Sequence, residues 1–373
     1  MTSSENMIKL ANMLVNYSCS VKPKEKVLIE ARDIPNDFLE ILIEEVWKAG
    51  AYPFVWDRNS IISKALLKNA TKEYAELNKK YDLPIMQDMD AVILLRGSNN
   101  KFETSDIDAE TKRIYDIYYT EPVEMKERVN NTKWSLLSFP TPAFAQSAGM
   151  STQAFTEFYY KVCTLDYAKM SKAMDKLVEY MEKTDKVHII GNGTDLTFSI
   201  KGQKAIKCDG KMNVPDGEVY TSPLRTSMNG KITYNIPTLY NGKRFDSVSF
   251  EIENGKIVKA EAGAGTQELN QILNTDEGAR YFGEFALGVN PYIREPMLDI
   301  LFDEKICGSF HLTPGSCYDD ASNGNKSAIH WDLVMCQREE YGGGKIFFDD
   351  VLIRDNGKFV VSELLDLNPE NLV

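Results

Sequence analysis

A chain of 373 residues, 43% apolar and 26% charged, has the make-up of a soluble globular protein and the length for two hydrophobic cores. Its formal net charge of −12, with no cluster of Lys or Arg, excludes a nucleic-acid or anionic-membrane surface, because phosphate binding needs concentrated positive charge. No apolar run approaches the roughly 20 residues of a membrane span, and the opening MTSSENMIKLANMLVNYSCS lacks the basic start and apolar centre of a secretory leader.

The first half alternates helix and strand patterns. Met7, Leu10, Leu14 and Val15 give residues 3–18 helical spacing, and EKVLIEA (25–31) is a strand. Pro35, Asn36 and Asp37 open a helix that stops at Gly50, followed by the strand AYPFVW (51–56). Residues 60–78 and 108–119 are expected as helices, AVILLRG (91–97) and WSLLSFP (134–140) as strands, and 150–164 and 166–183 as closing helices. Strands alternating with helices predict an α/β domain with a mostly parallel sheet over residues 1–185.

After Lys186 the pattern changes. Strands become dense, and the pairs Asn229-Gly230, Asn241-Gly242, Asn254-Gly255 and Asn356-Gly357 are expected as hairpin turns. Helices are sparse, with 266–274 and 276–282 the better candidates. Residues 186–373 are therefore expected as an α+β domain rich in antiparallel strands. GNGTDL (191–196) reads as a turn into a strand rather than a dinucleotide fingerprint, and GGGK (342–345) lacks the spacing of a phosphate loop. Cys19, Cys163, Cys208, Cys307, Cys317 and Cys336 are scattered without CxxC spacing, which is the pattern of reduced thiols in a cytoplasmic protein.

Chemistry concentrates in the second half. His188, in KVHIIG, reads as structural. His330 and Asp332 form H-x-D in AIHWDLV; in a strand they share a face while Trp331 packs on the other. His311 adds a second imidazole, a set that suits Zn, Mn, Fe or Co. Glu218 in NVPDGEVY, Glu284 in YFGEFALG and Glu304 in LFDEKICG stand among apolar residues, where a carboxylate has to be paired, protonated or on a metal. Imidazole and carboxylate donors without a thiolate fit a dinuclear hydrolytic site better than a structural zinc. Tyr318, seven residues after His311, is placed to donate to an oxyanion or simply to pack there.

These segments also resemble the M29 family of metallo-aminopeptidases, the aminopeptidase II group. The resemblance runs along nearly the whole chain, through LANMLVNYSCSVKPKEKVLI, KWSLLSFPTPAFAQSAGMSTQAFTEFYY, NVPDGEVYTSP, GARYFGEFALGVN, EKICGSFHLTPGSCY and SAIHWDLV. It implies metal ligands at Glu218, Glu284, His311, His330 and Asp332, with Glu304 a sixth, and an active-site Tyr318. It further implies two divalent cations per chain (Zn, Co, Mn or Mg), a homodimer, and release of N-terminal residues from peptides with a free N-terminus. The sequence departs from the family at LTPGSCY, where LALGSAY is more usual, and in a short loop at 319–326.

The expected mechanism is metal-assisted hydrolysis, with Glu284 bridging the metals or carrying the proton and Tyr318 steadying the oxyanion. Two other readings are weighed beside it. His311, His330 and Asp332 alone would serve a mononuclear Fe(II) ring-cleaving dioxygenase, which has no need of the three glutamates. A non-catalytic, metal-stabilised binding protein would need no Tyr318.

Overall fold

The computed structural model describes residues 3–240 and 243–373, which form two compact units. The first comprises Met1–Thr164 and Gly210–Pro215; the second comprises Leu165–Asp209 and Asp216–Val373. The sequence places its boundary near residue 185, whereas the contacts assign helix Tyr167–Lys183 to the second unit. That helix buries Tyr167, Met170, Met174, Leu177 and Met181, one stripe at helical spacing, and packs on the segment Ser362–Leu367 and the strand Ile206–Cys208.

The first unit is built on a five-stranded parallel sheet, in the order Tyr52–Arg58, Lys26–Arg32, Ala91–Arg96, Lys133–Ser138, Asn213–Val214. Val27, Leu28, Ile29 and Ala31, and the run from Ala91 to Leu95, are buried, as expected of central strands covered on both faces. The expected helix over 60–78 is two helices, Ser60–Leu67 and Lys72–Asp88, because the Thr71 hydroxyl accepts from the Tyr74 N–H and starts a new one. The helix expected over 108–119 runs as Ala109–Tyr115 and then as wider π-helical turns through Arg128. Among the described residues no helix is long and apolar enough to cross a membrane.

The second unit contains two large antiparallel sheets and the two-stranded pair Thr238–Tyr240 with Lys243–Phe245. Eight strands run in the order Lys256–Glu261, Ser249–Glu253, Asn229–Thr233, Thr194–Ser199, Lys186–Gly191, Gly344–Phe348, Val351–Asp355, Lys358–Phe359. Five more run in the order Leu333–Cys336, Ser309–Pro314, Phe282–Gly288, Glu218–Thr221, Ile206–Cys208. Phe285 of the smaller sheet meets Phe198 of the larger edge-on at 5.0 Å, and Phe282 meets Phe250 at 6.3 Å. Each such buried ring contributes about 1.5–3 kcal/mol.

Two of the expected turn pairs form hairpins: Asn254-Gly255 and Asn356-Gly357 both have positive φ. Asn241-Gly242 lies outside the described residues. Asn229-Gly230 is not a turn. Both residues are ladder positions, opposite Thr197 and Leu196, so strand pairing overrides the local preference of the dipeptide.

Gly255 has φ +81°, and a Cβ there would fall 1.8 Å from the Arg225 carbonyl oxygen. Gly202 has φ +71° with nothing within 4 Å. Gly202→Ala is therefore expected to cost only the left-handed backbone penalty, about 1–2 kcal/mol, and Gly255→Ala about 3 kcal/mol or more. Urea denaturation of both variants checks the difference.

Candidate metal centre

The register of the five-stranded sheet puts the candidate residues on one face. Residues directly opposite in an antiparallel pair point the same way. Glu284 pairs with Thr313, Ala286 with both His311 and Tyr220, and Cys208 with Glu218. His311 also pairs with Val334, and the same register carries on through the Gly315–His330 bridge. His330 and Asp332 thus lie just before the strand Leu333–Cys336, in extended chain, and face the site. Trp331 between them turns away. It stacks on Tyr240 at 4.6 Å and lies edge-on to Phe245 at 5.1 Å.

A bulge makes this face possible. Strict alternation would put Phe282 and Glu284 on the same side. The register shifts between them, so Phe282 opposes Pro314 and enters the core, and Glu284 opposes Thr313 and enters the site.

Glu284 stands between the two imidazoles. Its Oε1 is 2.8 Å from His311 Nε2, and its Oε2 is 3.9 Å from His330 Nε2. His330 Nε2 is 3.2 Å from Asp332 Oδ1. The Nδ1 of His330 lies 2.8 Å from the Ser316 carbonyl oxygen, which can only accept, so Nδ1 carries a hydrogen and it is Nε2 that offers a lone pair to the site when the ring is neutral. Thr313 donates to Asp332 Oδ1 at 2.6 Å. One donor atom each from Glu284, His330 and Asp332 lies within 4.8 Å of the others.

Glu218 approaches from the neighbouring strand, its Oε2 3.7 Å from His311 Nδ1. Glu304 lies close enough to His311 and Asp332 to feel their charges. It follows the short helix Ile300–Asp303 and is bonded to the ammonium of Lys305. Lys305, which the sequence reading overlooks, is fully buried and also faces Glu218 Oε1 at 3.6 Å and Asp216 Oδ1 at 3.8 Å. Its signal was available: like Glu304, it is an ionic residue in the apolar context of LFDEKICG.

The electrostatics follow from this crowding. Burial alone would lower the histidines; instead Glu284 and Glu218 push His311 up to about 10, and Asp332 and Glu284 push His330 up to about 10. Asp332 resists the upward pull of burial and is held well below the usual carboxylate range by His330, His311 and Thr313. Burial drives Glu304 well up, against the pull of Lys305. Lys305 itself is raised despite burial, because Glu218, Glu304 and Asp216 hold its proton.

Tyr318 is about half exposed, with its ring 4.8 Å from that of His330 and 5.7 Å from that of Tyr220. Partial burial and the carboxylates of Glu284 and Asp332 keep its phenol protonated. The loop between Tyr318 and His330 is pinned by asparagines that the sequence reading did not single out. Asn323 donates to the carbonyls of Pro223 and Phe282, and Asn325 to those of Gly278 and Gly315. His188 pairs with Asp195 on the adjacent strand, a structural role away from the cluster. All six cysteines are unbridged.

The donor set fits a cation. Glu218 Oε2, Glu284 Oε2 and His311 Nδ1 are buried atoms with no hydrogen-bond partner. Such atoms are costly unless something answers them. All are nitrogen or oxygen donors of the kind divalent ions take.

Comparison with known proteins agrees. Aminopeptidase 2 of Geobacillus stearothermophilus is 26% identical over 54% of this chain and 59% of its own, so that match spans less than two thirds of the relative. Aminopeptidase T of Thermus thermophilus is 23% identical over 90% of this chain and 93% of its own. The solved structure of AmpT from Thermus thermophilus matches with a TM-score of 0.79 and 21% identity, covering 96% of this chain and all (100%) of that one. The 2,5-dihydroxypyridine dioxygenase of Pseudomonas putida matches with a TM-score of 0.63 and 12% identity, over 98% of this chain and 100% of that one. At such identities the two structures show a shared fold, and the expected parallel-sheet domain followed by an antiparallel one is the fold of AmpT. The profile of the thermophilic metalloprotease family M29 matches residues 3–359, nearly the whole chain, and the chain belongs to that family.

Proposed function

We propose that this chain is an aminopeptidase that hydrolyses the N-terminal bond of peptides with the help of two divalent cations. One would be held by Glu284, His330 and Asp332, the other by Glu218 and His311. The observation that carries this reading is the convergence of Glu218 Oε2, Glu284 Oε2 and His311 Nδ1, all buried and unpartnered, on the face that also presents His330 Nε2. A divalent cation bound there lowers the pKa of a water and polarises a carbonyl oxygen.

The remaining steps belong to the chain's own residues. Glu284 accepts the proton of the attacking water and delivers it to the leaving amine. Its contact with His311 fixes the carboxylate in place. Tyr318, kept protonated, donates to the oxyanion that forms on the scissile carbonyl. The carboxylates around the face answer the free ammonium of the substrate, which confines cleavage to N-termini. Action in the cytoplasm, read from the scattered and unbridged cysteines, and a homodimer, read from the family resemblance, complete the proposal.

Reconstituted protein is expected to cleave aminoacyl-p-nitroanilides and dipeptides and to ignore their N-acetylated forms. Glu284→Gln should lower kcat by about a hundredfold or more, and Tyr318→Phe by about ten- to a hundredfold with KM little changed. A Glu284→Gln enzyme that keeps its metal and full activity would remove Glu284 from this role. Oxygen uptake with one iron per chain and no peptide turnover would favour the dioxygenase reading.

The imidazoles also set a pH dependence. Cation binding requires neutral histidine nitrogens, yet His311 and His330 are pushed up to about 10. Binding at neutral pH should therefore release protons and tighten as pH rises. Because both folded values lie above the ordinary 6.5, their stabilising pairs are fully present below that value and are lost as pH rises toward about 10. Chelated protein should thus weaken across that window. Calorimetry in buffers of differing ionisation enthalpy, with thermal melts of the chelated protein, checks both outcomes.

A further inference from the structure

The family resemblance implies Glu304 as a donor to the cations, and in the fold one of its oxygens is bonded to its neighbour Lys305. Lys305 is fully buried, and its ammonium is bonded to Glu304 Oε1 while facing Glu218 Oε1 at 3.6 Å and Asp216 Oδ1 at 3.8 Å. The ammonium is held there by its backbone. The Asn290 N–H donates to the Lys305 carbonyl at 3.2 Å, and Ile306 forms a bridge with Asn290. This approach needs Gly288, where a Cβ would fall 2.5 Å from the Ile306 carbonyl oxygen.

The two groups of donors are consequently unequal. Glu284, His330 and Asp332 each offer an atom within one cluster, and among the described residues their ion pairs are with histidines. On the other side, Lys305 holds Glu304 and one oxygen of Glu218. Facing the imidazoles on that side are Glu218 Oε2 and His311 Nδ1, 3.7 Å apart beside a fixed positive charge, with Cys208 and Asp216 grouped around Glu218. A like charge a few ångströms from a divalent ion in a protein interior opposes its binding strongly.

We propose that Lys305 makes the two cation positions unequal: a tight one at Glu284, His330 and Asp332, and a weak, exchangeable one at Glu218 and His311. This rests on the reading of the cluster as a two-cation centre. Lys305 is in this sense a positioning residue: it sets the metal content of the site without touching substrate.

The test uses the whole chain, stripped with a chelator and titrated with Zn²⁺ or Mn²⁺. Metal content is measured after gel filtration and stepwise affinities by calorimetry. Wild type is expected to retain one ion per chain and to bind a second at least about a hundredfold more weakly. Lys305→Met, or Lys305→Gln should the first not fold, is expected to tighten the second ion about tenfold or more with a smaller change at the first. Lys305→Arg keeps the inequality. Wild type that retains two ions with equal affinity overturns the proposal on its own. A neutral variant in which the ratio of the two affinities is unchanged overturns it as well. Aminoacyl-p-nitroanilide turnover separates this outcome from the proposed activity. One tight and one weak ion with no turnover would sink the activity and leave the role of Lys305 standing; full turnover with two equal ions would do the reverse.

Discussion

Negative charge buried on one sheet face is the constraint on which the second unit depends. Asp216, Glu218, Glu284 and Asp332 are buried, and Glu304 nearly so, around two imidazoles and one ammonium. A buried carboxylate left alone costs several kcal/mol, and removing one partner of a buried pair about 3–5 kcal/mol. No single residue in the cluster can be read by itself: His311 is raised because Glu284 and Glu218 face it, and Lys305 stays charged because three carboxylates surround it.

Placing these groups with such economy is the work of register. Five antiparallel strands carry one apolar face, with Phe285, Phe310 and Leu312 buried, and one donor-bearing face. The bulge at Gly283 lets a single strand feed Phe282 to one and Glu284 to the other. Small residues on the donor face matter as much as the ligating types. Ala286 lies opposite His311, and Gly288 admits the 304–306 segment that brings in Lys305.

How much of this was legible follows from which signals are local. His330 and Asp332 share a face because extended chain alternates, and that needs nothing beyond their own spacing. The antiparallel character of the second half and the parallel sheet of the first were equally readable from period and turn residues. For Glu304, composition shows that a buried carboxylate needs a partner without showing which one; one partner is its own neighbour, Lys305. The face of Glu284 was hidden by a bulge, which alternation cannot reveal. Asn229-Gly230 misled because pairing to Thr197 and Leu196 outweighs a dipeptide preference.

The departure of LTPGSCY from the family's usual LALGSAY acquires a physical meaning in the fold. In sequence it lies just ahead of Tyr318. In the structure Thr313 is fully buried opposite Glu284, and its hydroxyl reaches Asp332 Oδ1 at 2.6 Å, a contact that alanine could not make. A hydrogen bond to an ionised carboxylate contributes about 1.5–3 kcal/mol. Thr313 therefore helps hold Asp332 ionised and fixes one of its oxygens, so that the orientation of the other is decided before any ligand arrives. The substitution bears on the carboxylate of the H-x-D pair more directly than on the loop, and in the same direction as Lys305: both settle the charge and aim of a donor through a neighbour in the fold rather than through the donor's own place in the sequence.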